Sequence, residues 1–445
     1  MPADGTVPKL GIRELVLVTP MHIALVIPTL KGGGAERVVL NLAQGFIDRG
    51  HHVDIVLRRP VLHYSEDVPA DARLFFVDKL RGRFPKKDTS SMGARLRQLP
   101  RAYGRANWLD VGRAFEWNLL RCRPDLRLLN FTRAIASYIA RERPECVLPS
   151  LPLAKIATLM AGRFLKIHPP IIPIIHSNYE HRRPRDRCRL RYMADQAAHF
   201  VGVSQGVCDA VSRLVGVSSK DVTAINNPVV TEALVGGVAM SPSHPWLQDD
   251  GVPTVLAAGR LQRVKDYPTL IKAFARLAAR RPCRLIILGE GKQRKKLQAL
   301  VRRLGLDDRV SLPGWVDDPF VYMANASLFV VSSIYEGLSM VLVEALACGC
   351  PSVSTNCPFG PAEILLDGKL GPLVAVGDEA GLAMAMERVL EKPPDKGVLR
   401  RRAEDFSVNT AVTAYERLIQ AVASGSVNRS TLWDCADAGR AGEGG

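Results

Sequence analysis

The tightest constraint on the fold is an alternation that begins at residue 22. The apolar run His22-Ile-Ala-Leu-Val-Ile-Pro28 reads as a buried strand. Lys31-Gly-Gly-Gly-Ala-Glu-Arg37 then turns into an amphipathic helix whose apolar stripe is Val38, Val39, Leu42, Ala43 and Phe46. Gly50 closes that helix, and residues 53–57 read as the next strand. The alternation restarts downstream with strand 254–257, helix 267–280, strand 284–288, helix 294–304, strands 310–312 and 328–331, a helix after Ser339, and strand 351–354. Strands separated by helices pair in parallel and are covered by helices on both faces. A glycine turn that opens a helix also lets backbone amides approach an anion closely.

A chain of 445 residues is long enough for two such cores, since single cores stop growing near roughly 250–300 residues. The expected fold class is therefore α/β, with two Rossmann-like αβα domains facing a central cleft. Residues 21–230 form the first domain and 252–405 the second. Residues 231–251, rich in Gly, Ser, Pro and Asp and without periodicity, form the linker. A last helix spans 406–423; residues 1–20 read as a poorly ordered leader and 424–445 as a disordered tail. Dinucleotide and P-loop chemistry are both demoted. A G-x-G-x-x-G from Gly32 would need glycine where Arg37 stands, and neither Gly291-Lys292 nor Gly368-Lys369 precedes Ser or Thr. No run reaches the roughly 18 apolar residues of a membrane span, and residues 15–30 are broken by Pro20, His22 and Pro28. Nine scattered cysteines lack paired C-x-x-C spacing, so they read as reduced core residues of a cytoplasmic protein.

The net charge of +16 is uneven. Residues 1–240 hold 35 Lys and Arg against 21 Asp and Glu, or +14, which leaves +2 for the remainder. A basic face of this kind seeks phosphates, nucleic acid or a lipid surface. Within residues 80–135, Arg95, Arg97, Arg101, Arg105, Arg113, Arg121, Arg123, Arg127 and Arg133 interleave with Trp108, Phe115, Trp117, Leu119 and Leu120. That mixture suits an amphipathic segment on an anionic membrane, and equally a solvated helical excursion. Six more arginines lie between Arg182 and Arg191.

Three constellations carry chemistry. Glu336, in a loop after an apolar strand, and Glu344, two turns into the following helix, flank a helix N-terminus that Ser339 is placed to cap. One carboxylate offers two acceptors to a vicinal diol, although a loop Glu and a helix Glu paired with surface cations look the same. Arg260 and Lys265, five residues apart on the loop after the second domain's first strand, can straddle a diphosphate or sit idle on the surface. His176 ends an apolar strand at residues 171–175, and ligands of open α/β sheets collect outside the carboxyl ends of strands.

Together these motifs resemble the retaining, sugar-nucleotide-dependent glycosyltransferases of group 1, glycosyltransferase family 4, which have the GT-B fold. The resemblance rests on Gly33-Gly-Ala-Glu-Arg-Val38, His176-Ser-Asn178, Asn226-Asn-Pro228, Gly259-Arg260-Leu with Lys265-Asp266, and Leu288-Gly-Glu-Gly291. It continues through Leu312-Pro-Gly-Trp315, the E-x7-E pair Glu336/Glu344 and Gly360-Pro-Ala-Glu363, in family order from about residue 22 to 420. By that resemblance Glu344 holds the ribose, Glu336 contacts the transferred sugar, and Arg260 and Lys265 bind the diphosphate. The backbone at Gly33 and Gly34, and at Gly337, Leu338 and Ser339, cradles phosphate and sugar. Val316 meets the base, and His176 meets the sugar from the opposite domain. The resemblance implies transfer of a hexose or N-acetylhexosamine from a UDP-linked donor to a lipid-linked sugar or surface polysaccharide, on the inner face of the membrane. The nucleotide sugar is a co-substrate and no cofactor is implied. No D-x-D motif occurs, so no catalytic metal is expected. Gly368-Lys-Leu-Gly-Pro372 lacks the aromatic often found in the family loop. The rival readings are transfer to a soluble small molecule, an epimerase of the same architecture, and a basic nucleic-acid-binding protein on an inactive GT-B fold. The intact acid and base pairs argue against the last, so no nucleic-acid partner is expected.

Overall fold

The structure, a computed structural model, describes residues 19–61, 66–76, 96–98, 126–165, 168–176, 194–232, 234, 244–248 and 251–426. The first half runs β1 (His22–Ile27), α1 (Gly34–Asp48), β2 (His52–Leu57), β3 (Arg73–Phe76), β4 (Leu96–Gln98), α2 (Leu126–Glu142) and β5 (Cys146–Pro149). It continues with α3 (Pro152–Phe164), β6 (Ile174–Ile175), β7 (Phe200–Gly202), α4 (Gln205–Val215) and β8 (Val222–Ala224). All pairings are parallel, in the orders β4-β3-β2-β1-β5 and β6-β7-β8. Single parallel bridges, Val147 to Ile171 and Ser150 to Ile174, tie the two sheets edge to edge. The strands are apolar along their whole length because both faces are covered: Ile23 through Ile27 are all buried.

The second half repeats the plan. It runs β9 (Thr254–Ala258), α5 (Tyr267–Ala278), β10 (Arg284–Leu288), α6 (Arg294–Arg303), β11 (Val310–Gly314), α7 (Pro319–Asn325) and β12 (Leu328–Val331). Then come α8 (Met340–Ala347), β13 (Ser352–Thr355), α9 (Pro361–Ile364), β14 (Leu373–Val374), α10 (Glu379–Glu391), α11 (Lys396–Glu404) and α12 (Val408–Ala423). Its parallel sheet has the order β11-β10-β9-β12-β13-β14. In both halves the strand order reverses beside the first strand, at β1/β5 and at β9/β12. Such switch points open a crevice at the carboxyl ends of the strands, and the glycine turn, the Arg260 loop and the Glu336 loop all leave those ends.

The last helix returns to the first half. Val229 and Val230 donate to the Phe406 carbonyl, and α12 then packs on α1, where a Cβ on Gly45 would run into Val408 and Val412. Buried Glu416 accepts from Arg49 and from His51 Nε2 at 2.9 Å, while His51 Nδ1 accepts the Met21 amide at 3.0 Å. An Nδ1 that accepts puts the ring proton on Nε2, so a neutral His51 donates to Glu416.

Part of the 80–135 segment is regular. β4 extends the first sheet, and α2 buries Leu128, Phe131, Thr132 and Ile135 while Arg127 and Arg133 face outward. Those two arginines lie on the outer face of a core helix. Arg95, Arg101, Arg105, Arg113, Arg121 and Arg123, Trp108, Phe115, Trp117, Leu119 and Leu120, the cluster 182–191, Ser177 and Asn178 lie outside the described residues, as do 1–18, most of the 231–251 linker and 427–445. The described cysteines 146, 208, 283, 348, 350 and 357 are buried and free.

Candidate functional site

Two loops bring the predicted cations and acids together. Lys265 Nζ lies 2.7 Å from Glu336 Oε1, which also accepts from Ser333 Oγ at 2.6 Å. Ser332 Oγ donates to the Lys265 carbonyl at 2.7 Å and the Ile334 amide to that of Val264, so the β9 and β12 loops are tied together. Asp266 then adopts a left-handed conformation (φ 43°), where L side chains carry strain. It turns the chain straight from the Lys265 loop into α5. Gly259 (φ 145°) lets Lys265 and the Tyr267 hydroxyl close in: a Cβ there would stand 3.1 Å from that hydroxyl oxygen. The Tyr267 hydroxyl is itself buried without a hydrogen-bond partner.

Arg260 reaches across the cleft, its Nη2 donating to the Gly32 carbonyl at 3.1 Å. The opposite walls meet again where Gly34, the first residue of α1, faces Met340, the first of α8; a Cβ on Gly34 would be 3.0 Å from Met340 Sδ. Both helices start at the cleft without a side-chain cap. Ser339 occupies the N-cap position of α8, yet it does not cap the helix as its type predicts. Its Oγ is buried with no partner. Among the described residues the amides of Gly33, Gly34, Leu338 and Ser339 donate to no backbone carbonyl. Uncapped helix N-termini carry partial positive charge and unsatisfied donors, and here two of them converge.

Glu344, in the second turn of α8, is buried. Burial raises its carboxyl above the usual range, opposed by the positive charges of Arg37 from the first half and Lys265 from the second. Glu36 is likewise raised by burial and opposed by its own backbone amide and by Arg260. Arg260, Lys265, Glu336, Glu344, Gly34 and Ser339 are thus brought together where the two halves meet. Val316 packs against the core on the β11 side, beside Trp315, which is 68% exposed.

His176 stands apart in its bonding. Its Nε2 pairs with Ser150 Oγ at 3.1 Å, and its buried Nδ1 has no well-formed hydrogen bond, although the Asn227 side chain lies close enough to favour the charged ring. Burial, and then the nearby Lys155 ammonium, push its pKa down to about 3, so the ring is neutral at physiological pH. Lys155 itself is buried under the strand end and donates to the Ile174 carbonyl at 3.1 Å. The sequence reading missed Tyr267, Ser333 and Lys155. Only Lys155 left a trace, as a charge within the apolar run of residues 151–162. Asp318 caps α7 by accepting from the amides of Phe320 and Val321. Among the described residues no three His, Cys, Asp or Glu side chains converge on a metal site.

Two family models match this chain: glycosyl transferases group 1 over residues 252–392, and glycosyltransferase family 4 over residues 32–233. Among curated proteins, an N-acetylgalactosamine-N,N'-diacetylbacillosaminyl-diphospho-undecaprenol 4-alpha-N-acetylgalactosaminyltransferase of Campylobacter jejuni is 36% identical over 164 residues, covering 37% of this chain and 43% of the relative. The lipopolysaccharide 1,6-galactosyltransferase of Escherichia coli is 25% identical over 274 residues, covering 60% of this chain and 71% of the relative. The match thus takes in less than half of the Campylobacter protein's own length. Among solved structures, Anabaena Alr3699/HepE in complex with UDP and glucose superposes with a TM-score of 0.65 at 19% identity, over 90% of this chain and 100% of that one. At that identity the likeness speaks for the fold alone.

Proposed function

Because the chain belongs to the group 1 glycosyltransferases, with their GT-B fold, we propose that it transfers a hexose or N-acetylhexosamine, with retention, from a UDP-linked donor to a lipid-linked sugar or surface-polysaccharide acceptor. The observation that carries this reading is the pair of uncapped helix N-termini facing each other across the cleft, with Arg260 and Lys265 beside them. Charge develops on the departing diphosphate, and fixed amides and cations aimed at it stabilise the transition state as an oxyanion hole does. In this assignment Arg260 and Lys265 take the diphosphate, and the amides of Gly33, Gly34, Leu338 and Ser339 take its remaining oxygens and the sugar. Glu344 accepts from the ribose hydroxyls, the backbone at Gly337 and Val316 frames the sugar and the base, and Glu336 orients the transferred sugar through its bond to Lys265. His176, neutral, hydrogen-bonds the sugar from the opposite wall. The acceptor oxygen bonds to the anomeric carbon on the face that the diphosphate leaves. Its proton passes to the departing phosphate oxygen, so no protein nucleophile is needed.

The acceptor class rests on the relatives, one named for a diphospho-undecaprenol-linked sugar and one for lipopolysaccharide. No described helix is long and apolar enough to cross a membrane. The charge of +14 on residues 1–240 fits peripheral attachment to an anionic inner leaflet. A screen of nucleotide sugars that reads UDP release with and without membrane extract tests the proposal. Release that needs both a donor sugar and the extract supports it, whereas no release with any donor sinks it. Cosedimentation with anionic liposomes, lost as salt rises, tests the membrane attachment; indifference to lipid charge removes it.

A further inference from the structure

The start of α4 is capped from the other half of the molecule. Glu363, in α9, accepts the Gln205 amide at 2.9 Å on Oε2 and the Gly206 amide at 3.1 Å on Oε1. Ser204 serves the next amide, that of Val207, at 3.3 Å, and its hydroxyl donates across the cleft to the Gly337 carbonyl at 3.0 Å. Every early amide of α4 is therefore satisfied, two of them by a carboxylate from the second half. The contact is tightly built. Phe359, held in the left-handed region at φ 65°, lies against Gly206, and any Cβ on Gly206 would overlap its ring. Gly360 (φ 90°) brings the same loop within 3.1–3.2 Å of Leu338 Cα and the Ser339 amide, measured from the Cβ it lacks.

The consequence falls on the donor cradle. In a planar trans peptide the C=O and N–H point in opposite directions. Anchoring the Gly337 carbonyl on Ser204 thus fixes the direction of the Leu338 amide, which belongs to the same peptide unit. That amide has no backbone acceptor among the described residues.

We infer that Glu363 and Ser204 are positioning residues, a latch between the halves that fixes the Gly337–Leu338 peptide and with it the direction of the Leu338 amide. The inference rests on the transfer reading above, in which that amide meets the donor. The latch leaves Arg260, Lys265 and Glu344, which grip the nucleotide, in place, so its loss is expected to lower turnover far more than nucleotide affinity. The experiment compares the full-length protein with Glu363→Ala, Ser204→Ala and Gly206→Ala. It measures kcat for UDP release, the dissociation constant for UDP by calorimetry, and the radius of gyration by solution scattering. Gly206→Ala opens the contact by steric overlap while improving intrinsic helix propensity, so it serves as the second route should Glu363→Ala fold poorly. Expected are a kcat lowered about tenfold, a UDP dissociation constant within twofold of the parent, and a larger radius of gyration. Unchanged kcat, or UDP affinity lost in step with kcat, overturns the latch. If the parent protein turns over no donor, the transfer reading fails, and scattering alone decides the latch: an unchanged radius in the variants refutes it.

Discussion

Lys265 Nζ stands 2.7 Å from Glu336 Oε1, so a cation from the loop after β9 and a carboxylate from the loop after β12 hold each other in place. Arg260, five residues before Lys265, is anchored instead on the opposite wall, at the Gly32 carbonyl. Removing one fixed donor from a developing anion typically costs about 10² to 10³ in rate. Arg260→Ala and Lys265→Ala are each expected to lower kcat for UDP release by that order. Lys265→Ala also frees Glu336, leaving it Ser333 alone, and is expected to be the more damaging of the two. Steady-state kinetics on both variants checks this, and near-normal turnover in both refutes the assignment of the diphosphate to this loop.

The Tyr267 hydroxyl is buried, lacks a partner, and is pushed above its ordinary pKa by burial and then by the Glu336 charge. A buried hydroxyl with no hydrogen bond is a liability of about 1–3 kcal/mol. Tyr267→Phe is therefore expected to keep or raise the thermal midpoint while lowering turnover, the signature of a group retained for a ligand. A midpoint lowered by several degrees would show that the hydroxyl is bonded in the folded protein.

Glu416 anchors the returning helix by accepting from Arg49 and from buried His51. Breaking a buried pair from one side typically costs about 3–5 kcal/mol, and the partial exposure of Arg49 places this case at the low end. Glu416→Ala is expected to lower unfolding free energy by about 3 kcal/mol. His51→Ala in the same background should then cost much less than it does alone, since both act through one contact. Additive losses in urea unfolding would contradict this.

Much of the fold was legible because buried parallel strands are apolar along their whole length. Residues 22–27 and 328–331 could be little else. The glycine turn and the Arg260, Lys265 and Glu336 loops were legible for a local reason, since each follows the end of an apolar strand, and Glu344 was legible by its spacing from Glu336 into the next helix. What escaped depends on partners far away in the chain. His51 and Glu416 are 365 residues apart, and Gln205 and Glu363 are 158 apart, so neither pair leaves a periodic trace. Ser339 misled because capping is inferred from residue type, whereas in the fold its buried hydroxyl makes no bond to the first-turn amides. The first turns of α2 were absorbed into the arginine-rich stretch, because Arg127 and Arg133 interrupt a helix whose other face is core.

His176 offers a test by pH. Its ordinary pKa is 6.5, and burial with the Lys155 charge brings it to about 3 in the folded protein. Between those values the unfolded chain binds a proton that the native state refuses, so native stability falls as pH drops through that window and is unaffected above it. Each pH unit inside the window changes stability by up to about 1.4 kcal/mol. Asp54 does not interfere. Burial alone would raise its carboxyl, but hydrogen bonds from His22, Arg73 and Tyr138 hold it below the usual 3.8, so its contribution is constant above that pH. His176→Gln removes the titration. Relative to the parent, the variant is expected to show a constant stability difference from pH 7 to 8 and to gain steadily from pH 6.5 to 5, read from urea midpoints at matched pH. A difference that stays flat down to pH 5 would mean that His176 takes up its proton in the native state, and with it would go the neutral imidazole assigned to the sugar.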